Sequence, residues 1–168
     1  MLITALAGRR IETEAWLKSL LDAAKYPDAE VTRYRHWDAD AEASVAFEAA
    51  RLANQSPRLV VAKSLGTVIA ATAFCLHGFH PTIAVLIGIP YVALESNEVQ
   101  FLRRFAANID TLFIQQAQDP GGSAALLATA LQVTRGEVVE VPGNDHLYSD
   151  ITTLASILDR WTKQYSRL

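Results

Sequence analysis

A single cysteine, Cys75, leaves this chain of 168 residues unable to close an internal disulfide, so its stability has to come from a packed core. Charge of one sign is also lacking. The 15 Lys and Arg against 18 Asp and Glu give a formal net charge of −3, and no basic stripe is long enough to track a phosphate backbone. Nucleic acid is therefore not an expected partner. No apolar run reaches the roughly 18 residues that a spanning helix needs without a Gly, polar or charged interruption, so no membrane association is expected. The opening Met1-Leu2-Ile3-Thr4-Ala5-Leu6-Ala7 has no basic lead and too short an apolar run for a signal peptide, which makes the cytoplasm the expected location. Internal repeats, low-complexity tracts and Pro/Gly/Ser linkers are absent, and one domain spanning 1–168 is expected.

What the chain does have is a hydrophobic fraction of 51% with 20% charged residues, enough to fill an interior. Short apolar runs alternate with longer helical patterns. The runs at 2–6, 30–34, 58–62, 82–88, 111–115 and 137–141 read as strands, mostly continuous in apolar character as for strands covered on both faces. Helices are predicted at 12–24, 40–53, 65–77, 96–105, 123–131 and 149–165. In the last of these, Ile151, Leu154, Ile157, Leu158, Trp161 and Tyr165 recur three and four apart, a stripe that should dock on the sheet. The expected class is α/β: a doubly wound, mostly parallel six-stranded sheet with helices on both faces.

Chemistry concentrates where the third run turns into an apolar helix, at Ala62-Lys63-Ser64-Leu65-Gly66. A nucleophile at a sharp strand-to-helix turn sits in strained backbone, and the residues two away on each side must be small so that strand and helix can approach. Ala62 and Gly66 meet that demand. A helix N-terminus also favours an oxyanion, and the N–H of Leu65 is the natural first donor. The bland alternative is that Ser64 merely caps the helix.

Serine needs a base, and of four histidines His146 lies just past the sixth run, in Gly143-Asn144-Asp145-His146, at the same sheet edge as Ser64. The loop after the preceding run supplies Asp119 as the orienting carboxylate. Asp145 adjoins His146 too closely to reach Nδ1 easily. The order Ser64, Asp119, His146 suits an α/β-type hydrolase.

With these motifs in order along nearly the whole chain, the sequence resembles the α/β-hydrolase superfamily, as a small member without a lid. It departs from the family at Ala62, where Gly is most common, and at Leu6-Ala7-Gly8-Arg9, where many members carry a His-Gly oxyanion loop. The resemblance implies a minimal α/β-hydrolase fold lacking two N-terminal antiparallel strands and the cap, with strand order 2-1-3-4-5-6. The direction reverses between the first and third strands, where ligands of open α/β sheets bind. It further implies backbone donors at Gly8 and Arg9, acyl-side walls from Tyr91 and Val92, and a small ester or thioester as substrate, processed through an acyl-enzyme with no cofactor. A homodimer stays open.

Other residues offer competing chemistry. Cys75-x-His77-x-x-His80 superficially resembles a zinc cluster, but it ends the elbow helix on the far sheet edge, and no metal is expected. Arg35 or His36 could read an anionic group at the rim, although a solvated loop is the simpler reading. Lys63 is assigned no role. Two other function classes stay open: a degenerate hydrolase kept as a binding module, and a flavodoxin-like or nucleotide-binding domain, which the absence of a Gly-rich phosphate loop disfavours.

Overall fold

A strand sends alternate side chains to opposite faces of its sheet, and in the central runs Leu59–Lys63 and Ile83–Ile87 both sets are buried and almost wholly apolar. In the computed structural model, which describes residues 2–38 and 41–165, six strands form one sheet in the order β2-β1-β3-β4-β5-β6. They are β1 (Ile3–Leu6), β2 (Glu30–Val31), β3 (Leu59–Lys63), β4 (Ile83–Ile87), β5 (Asp110–Gln116) and β6 (Gly136–Val141). Every pairing is parallel. The order is the one implied by the resemblance, with the reversal between β1 and β3.

Among the described residues, seven helices cover the two faces: α1 (Glu12–Ala23), α2 (Arg35–Asp38), α3 (Val45–Ala50), α4 (Leu65–Leu76), α5 (Ser96–Asn108), α6 (Ala124–Leu131) and α7 (Ile151–Gln164). Val60 and Ala62 of β3 join Ala84, Leu86 and Phe113 in one core beneath α3 to α6, with Ile69, Leu102, Phe105 and Leu127. Leu59 and Val61 point the other way, joining Val85, Ile87, Leu17, Leu154, Leu158 and Trp161 under α1 and α7. The apolar stripe read in the last helix thus docks on the sheet beside α1, and Tyr26 of the adjoining turn donates to Thr162 at 2.8 Å. No helix among the described residues is long and apolar enough to cross a membrane.

Two predicted elements are shorter than expected. The second strand ends at Val31 rather than at 34, because Tyr34 turns inward, fully buried, and its hydroxyl donates to the Ala7 carbonyl at 2.8 Å. The chain then coils into α2, which was not foreseen. The helix predicted for 40–53 is α3, capped by Ser44, whose hydroxyl accepts from the N–H of Phe47. Its expected start, Asp40, lies outside the described residues. Elsewhere the elements lie within about three residues of expectation, α5 running on to Asn108. A short 3-10 turn, Tyr91–Ala93, adds an element after β4.

Candidate active site

Ser64 joins β3 to α4 with φ 49° and ψ −116°, a region costly for any residue with a Cβ. Its N–H is tied to the Ile87 carbonyl at 2.9 Å, and its own carbonyl accepts from both the N–H and the hydroxyl of Thr67. Although it occupies the N-cap position, its side chain makes no capping bond. The hydroxyl is directed elsewhere, to Nε2 of His146 at 3.0 Å. That distinguishes it from a mere cap.

The small residues around it answer to contact. Ala62 is fully buried, in register with Leu6 on one side and Leu86 on the other. At Gly66 a Cβ would lie 2.7 Å from the Ala7 oxygen and as close to the Leu6 carbonyl carbon, so no larger residue fits without moving backbone. The N–H of Gly66 donates to that Ala7 oxygen at 3.0 Å. One glycine therefore locks the loop after β1 against the elbow.

Within that loop Gly8 is buried and Arg9 exposed. The Arg9 carbonyl accepts from Nε1 of Trp37 at 3.0 Å and lies 2.7 Å from Nε2 of His36. His36 thus uses its outer nitrogen to hold the loop, and Arg35 lies over the ring of Phe47. Neither is arranged as a reader of anions. Among the described residues no acceptor takes the N–H of Leu65, Gly8 or Arg9.

His146 follows β6 in a loop bent by two left-handed residues, itself at φ 62° and Tyr148 at φ 59°. Gln116, the last residue of β5, shapes that loop with both ends of its amide. Its oxygen accepts from the N–H groups of Asp145 (3.1 Å) and His146 (2.9 Å), and its nitrogen donates to Asp145 (3.0 Å). Asp145 also accepts from Leu147 N–H, and these bonds, Gln116 first, hold its carboxyl below the usual range. Asp145 braces the loop and does not contact the ring.

The ring's inner nitrogen meets Asp119 instead. Nδ1 lies 2.9 Å from each carboxylate oxygen, and the Asp119 side chain is wholly shielded from solvent. Oδ1 accepts from Gly121 N–H and Oδ2 from the Tyr148 hydroxyl, both at 2.6 Å. Since the Tyr148 oxygen already accepts from Gln116 N–H, its proton must point to Asp119. An ionised carboxylate only accepts, so the imidazole presents Nδ1–H to Asp119 and its Nε2 lone pair to Ser64. Burial, then the bond to Asp119, pushes the Tyr148 phenol far up.

Tyr91 is half-buried and Val92 63% exposed on the 3-10 turn after β4, which is pinned to the acid loop. Val92 N–H donates to Gly121 at 2.9 Å, and fully buried Gln115 bridges the main chain of Ile89 to that of Gly122. Cys75 lies in the last turn of α4, His77 is its C-cap and His80 follows in the loop beyond, at the end of the helix away from the elbow; the Cys75 thiol lies 3.7 Å from the Phe101 carbonyl, and His80 stands edge-on to Phe74. Among the described residues no cluster of His, Cys, Asp or Glu could hold a metal ion.

No family model matches the sequence, and no curated protein matches it at a significant level. Solved structures do match in shape. A Xanthomonas campestris protein described as belonging to the alpha/beta hydrolase superfamily superposes with a TM-score of 0.70 at 17% identity, covering 96% of this chain and 97% of its own. An alpha/beta hydrolase enzyme from lagoon sediments of Mar Chica, Morocco, gives 0.68 at 13% identity, covering 98% and 91%. The chain has the α/β-hydrolase fold. An esterase domain from Rhodothermus marinus shares this fold with a TM-score of 0.64 at 16% identity, over 97% of this chain and 86% of that domain.

Several residues that hold this site together were not foreseen from the sequence. Gln115 and Gln116 carried a signal, two amides directly after the apolar Leu112-Phe113-Ile114 of β5. Tyr148 and Lys63 carried none, because their partners lie far away in sequence.

Proposed function

We propose that this protein is a serine hydrolase of small esters or thioesters, with Ser64 as nucleophile, His146 as general base and Asp119 as the carboxylate that orients it. The observation that carries the reading is the unbroken line from the Ser64 hydroxyl through both nitrogens of His146 to buried Asp119, with Ser64 held in strained backbone. A capping serine or a binding module on the same fold would need none of these contacts.

In the proposed cycle Ser64 Oγ attacks the substrate carbonyl while His146 Nε2 takes its proton. Charge developing on the carbonyl oxygen is received by the N–H of Leu65 and by the N–H groups of Gly8 or Arg9, fixed donors of the kind typically worth about 3 kcal/mol each. The imidazolium, steadied by Asp119, returns its proton to the leaving alcohol or thiol, leaving Ser64 acylated. Water attacks the acyl-enzyme by the same route in reverse, with no cofactor. Tyr91 and Val92 form the acyl-side wall.

The test is labelling by a fluorophosphonate probe together with hydrolysis of a small ester panel. Ser64→Ala should abolish both while the fold survives, and a variant that still labels would refute the mechanism. Asp119→Asn should cripple turnover and Asp145→Asn should affect it little; the reverse pattern would move the orienting acid to Asp145.

A further inference from the structure

Lys63 precedes the nucleophile and follows the two-residue alternation of β3 to the side of Leu59 and Val61, away from α4. It is only 4% exposed. Buried lysines are rare unless paired with an anion, yet no carboxylate lies within ion-pair distance of this one among the described residues. The ammonium instead lies 5.3 Å from the ring centre of Trp16 on α1 and 5.2 Å from that of Tyr148, and donates to the carbonyl of His146 at 3.0 Å. Holding a cation there is costly, and an apolar side chain would fill the space without that cost.

We propose that Lys63 is a positioning residue: its buried ammonium, clasped between Trp16 and Tyr148, grips the main chain of His146 and so keeps the imidazole in line between Ser64 and Asp119. This rests on the hydrolase reading above. His146 occupies left-handed backbone, which is costly for a residue with a Cβ. Its N–H is held by Gln116 and its C=O by Lys63, so the main chain is fastened on both sides of the ring. Two residues on, the Tyr148 carbonyl accepts from Nε1 of Trp16 at 3.0 Å, which fastens the same loop to α1.

The charged and titratable groups facing the ammonium are Asp119 from the acid loop and Asp145, His146 and Tyr148 from the histidine loop; α1 contributes the indole of Trp16. Burial lowers the Lys63 ammonium to about 8, against the opposing pull of the two aspartates. Above that pH the amine loses both its attraction to the two rings and the charge-assisted strength of its bond to His146.

The test measures fluorophosphonate labelling of Ser64 and p-nitrophenyl acetate hydrolysis between about pH 6 and pH 10. Wild type should slow above about pH 8. Lys63→Met should label between about ten- and a hundredfold more slowly at neutral pH, with kcat reduced, KM unchanged and no fall near pH 8. Lys63→Gln, which keeps a donor without a titrating charge, should also lose the fall. Labelling of Lys63→Met at the wild-type rate, or a fall near pH 8 that persists in either variant, overturns the proposal. Should neither variant fold, a wild-type rate that stays constant through pH 8 overturns it and one that falls supports it. A wild type that labels at no pH sinks the hydrolase reading itself, whereas normal wild-type labelling with unaltered variants sinks this proposal alone.

Discussion

The Tyr148 hydroxyl donates to Oδ2 of Asp119 at 2.6 Å while accepting from the N–H of Gln116, so one buried phenol joins the acid loop to the end of β5. Asp119 is thereby held by three donors, Tyr148, Gly121 and His146, and its position is set before any substrate arrives. Tyr148→Phe keeps the ring over Lys63 but removes a bond to a buried carboxylate and strands the Gln116 N–H. Bonds to charged groups are worth about 1.5–3 kcal/mol, so denaturant melts should show a loss of that order. Probe labelling should slow by about tenfold or more as Asp119 gains freedom.

A second prediction separates strain from chemistry at the elbow. Ser64 and an alanine in its place both carry a Cβ into backbone at φ 49°, whereas glycine enters that region freely. Ser64→Gly and Ser64→Ala should be equally dead toward the probe. Relative to Ser64→Ala, however, Ser64→Gly should be more stable by about 1 kcal/mol, the relieved strain outweighing the greater flexibility of an unfolded glycine. Matched urea melts of the two variants check this, and equal midpoints would mean that the strain is not borne at Ser64.

Stability should also respond to the buried ammonium, and the direction is opposite to the usual ion-pair case. Lys63 falls from 10.5 in the unfolded chain to about 8 in the folded one. Below about pH 8 both states carry the proton and the full cost of burying it is present. Between about 8 and 10.5 the unfolded chain holds more protons, so stability rises with pH through that window, by up to about 3 kcal/mol from this group. Lys63→Met should flatten that rise while being no less stable than wild type at neutral pH by more than about 1–3 kcal/mol, the cost of leaving the His146 carbonyl without its donor. Urea melts of both proteins across that pH range give the comparison.

How much of this could be read from the sequence depended on how local the cause was. The central strands were legible because both faces of β3 and β4 are buried, which turns each into a nearly continuous apolar run, and β5 holds Leu112, Phe113 and Ile114 in the same way. Ser64 was legible because the elbow's steric demand falls on its own neighbours, Ala62 and Gly66. The proximity of Asp119 and His146 followed from strand order, since both loops leave the same sheet edge. By contrast β2 looked longer than it is, because the aromatic Tyr34 suits a strand as well as it suits the buried slot beside Ala7 that it occupies. Lys63 looked inert for a similar reason. Its partner is a carbonyl 83 residues away, and only the assembled fold brings that carbonyl to it.

The last prediction concerns substrate size and follows from how little wall the site has. On the acyl side the proposed wall is the 3-10 turn after β4, where Tyr91 is half-buried and Val92 stands 63% exposed, with nearby Leu126 on α6 41% exposed. Gly122 keeps this ledge low: a Cβ there would come within 3.2 Å of Tyr91 Cβ and 3.8 Å of Val92. Such a ledge can shield a few methylenes at about 0.8 kcal/mol each, and carbons beyond it remain in water in the transition state as in the free substrate. On p-nitrophenyl esters kcat/KM should therefore rise with acyl length and level off or fall beyond roughly four to six carbons. Val92→Ala should remove part of the rise, about a methylene's worth or two, without changing labelling by a small fluorophosphonate. A steady rise to long chains would instead require a wall supplied from elsewhere, such as a second copy of the chain closing over the ledge.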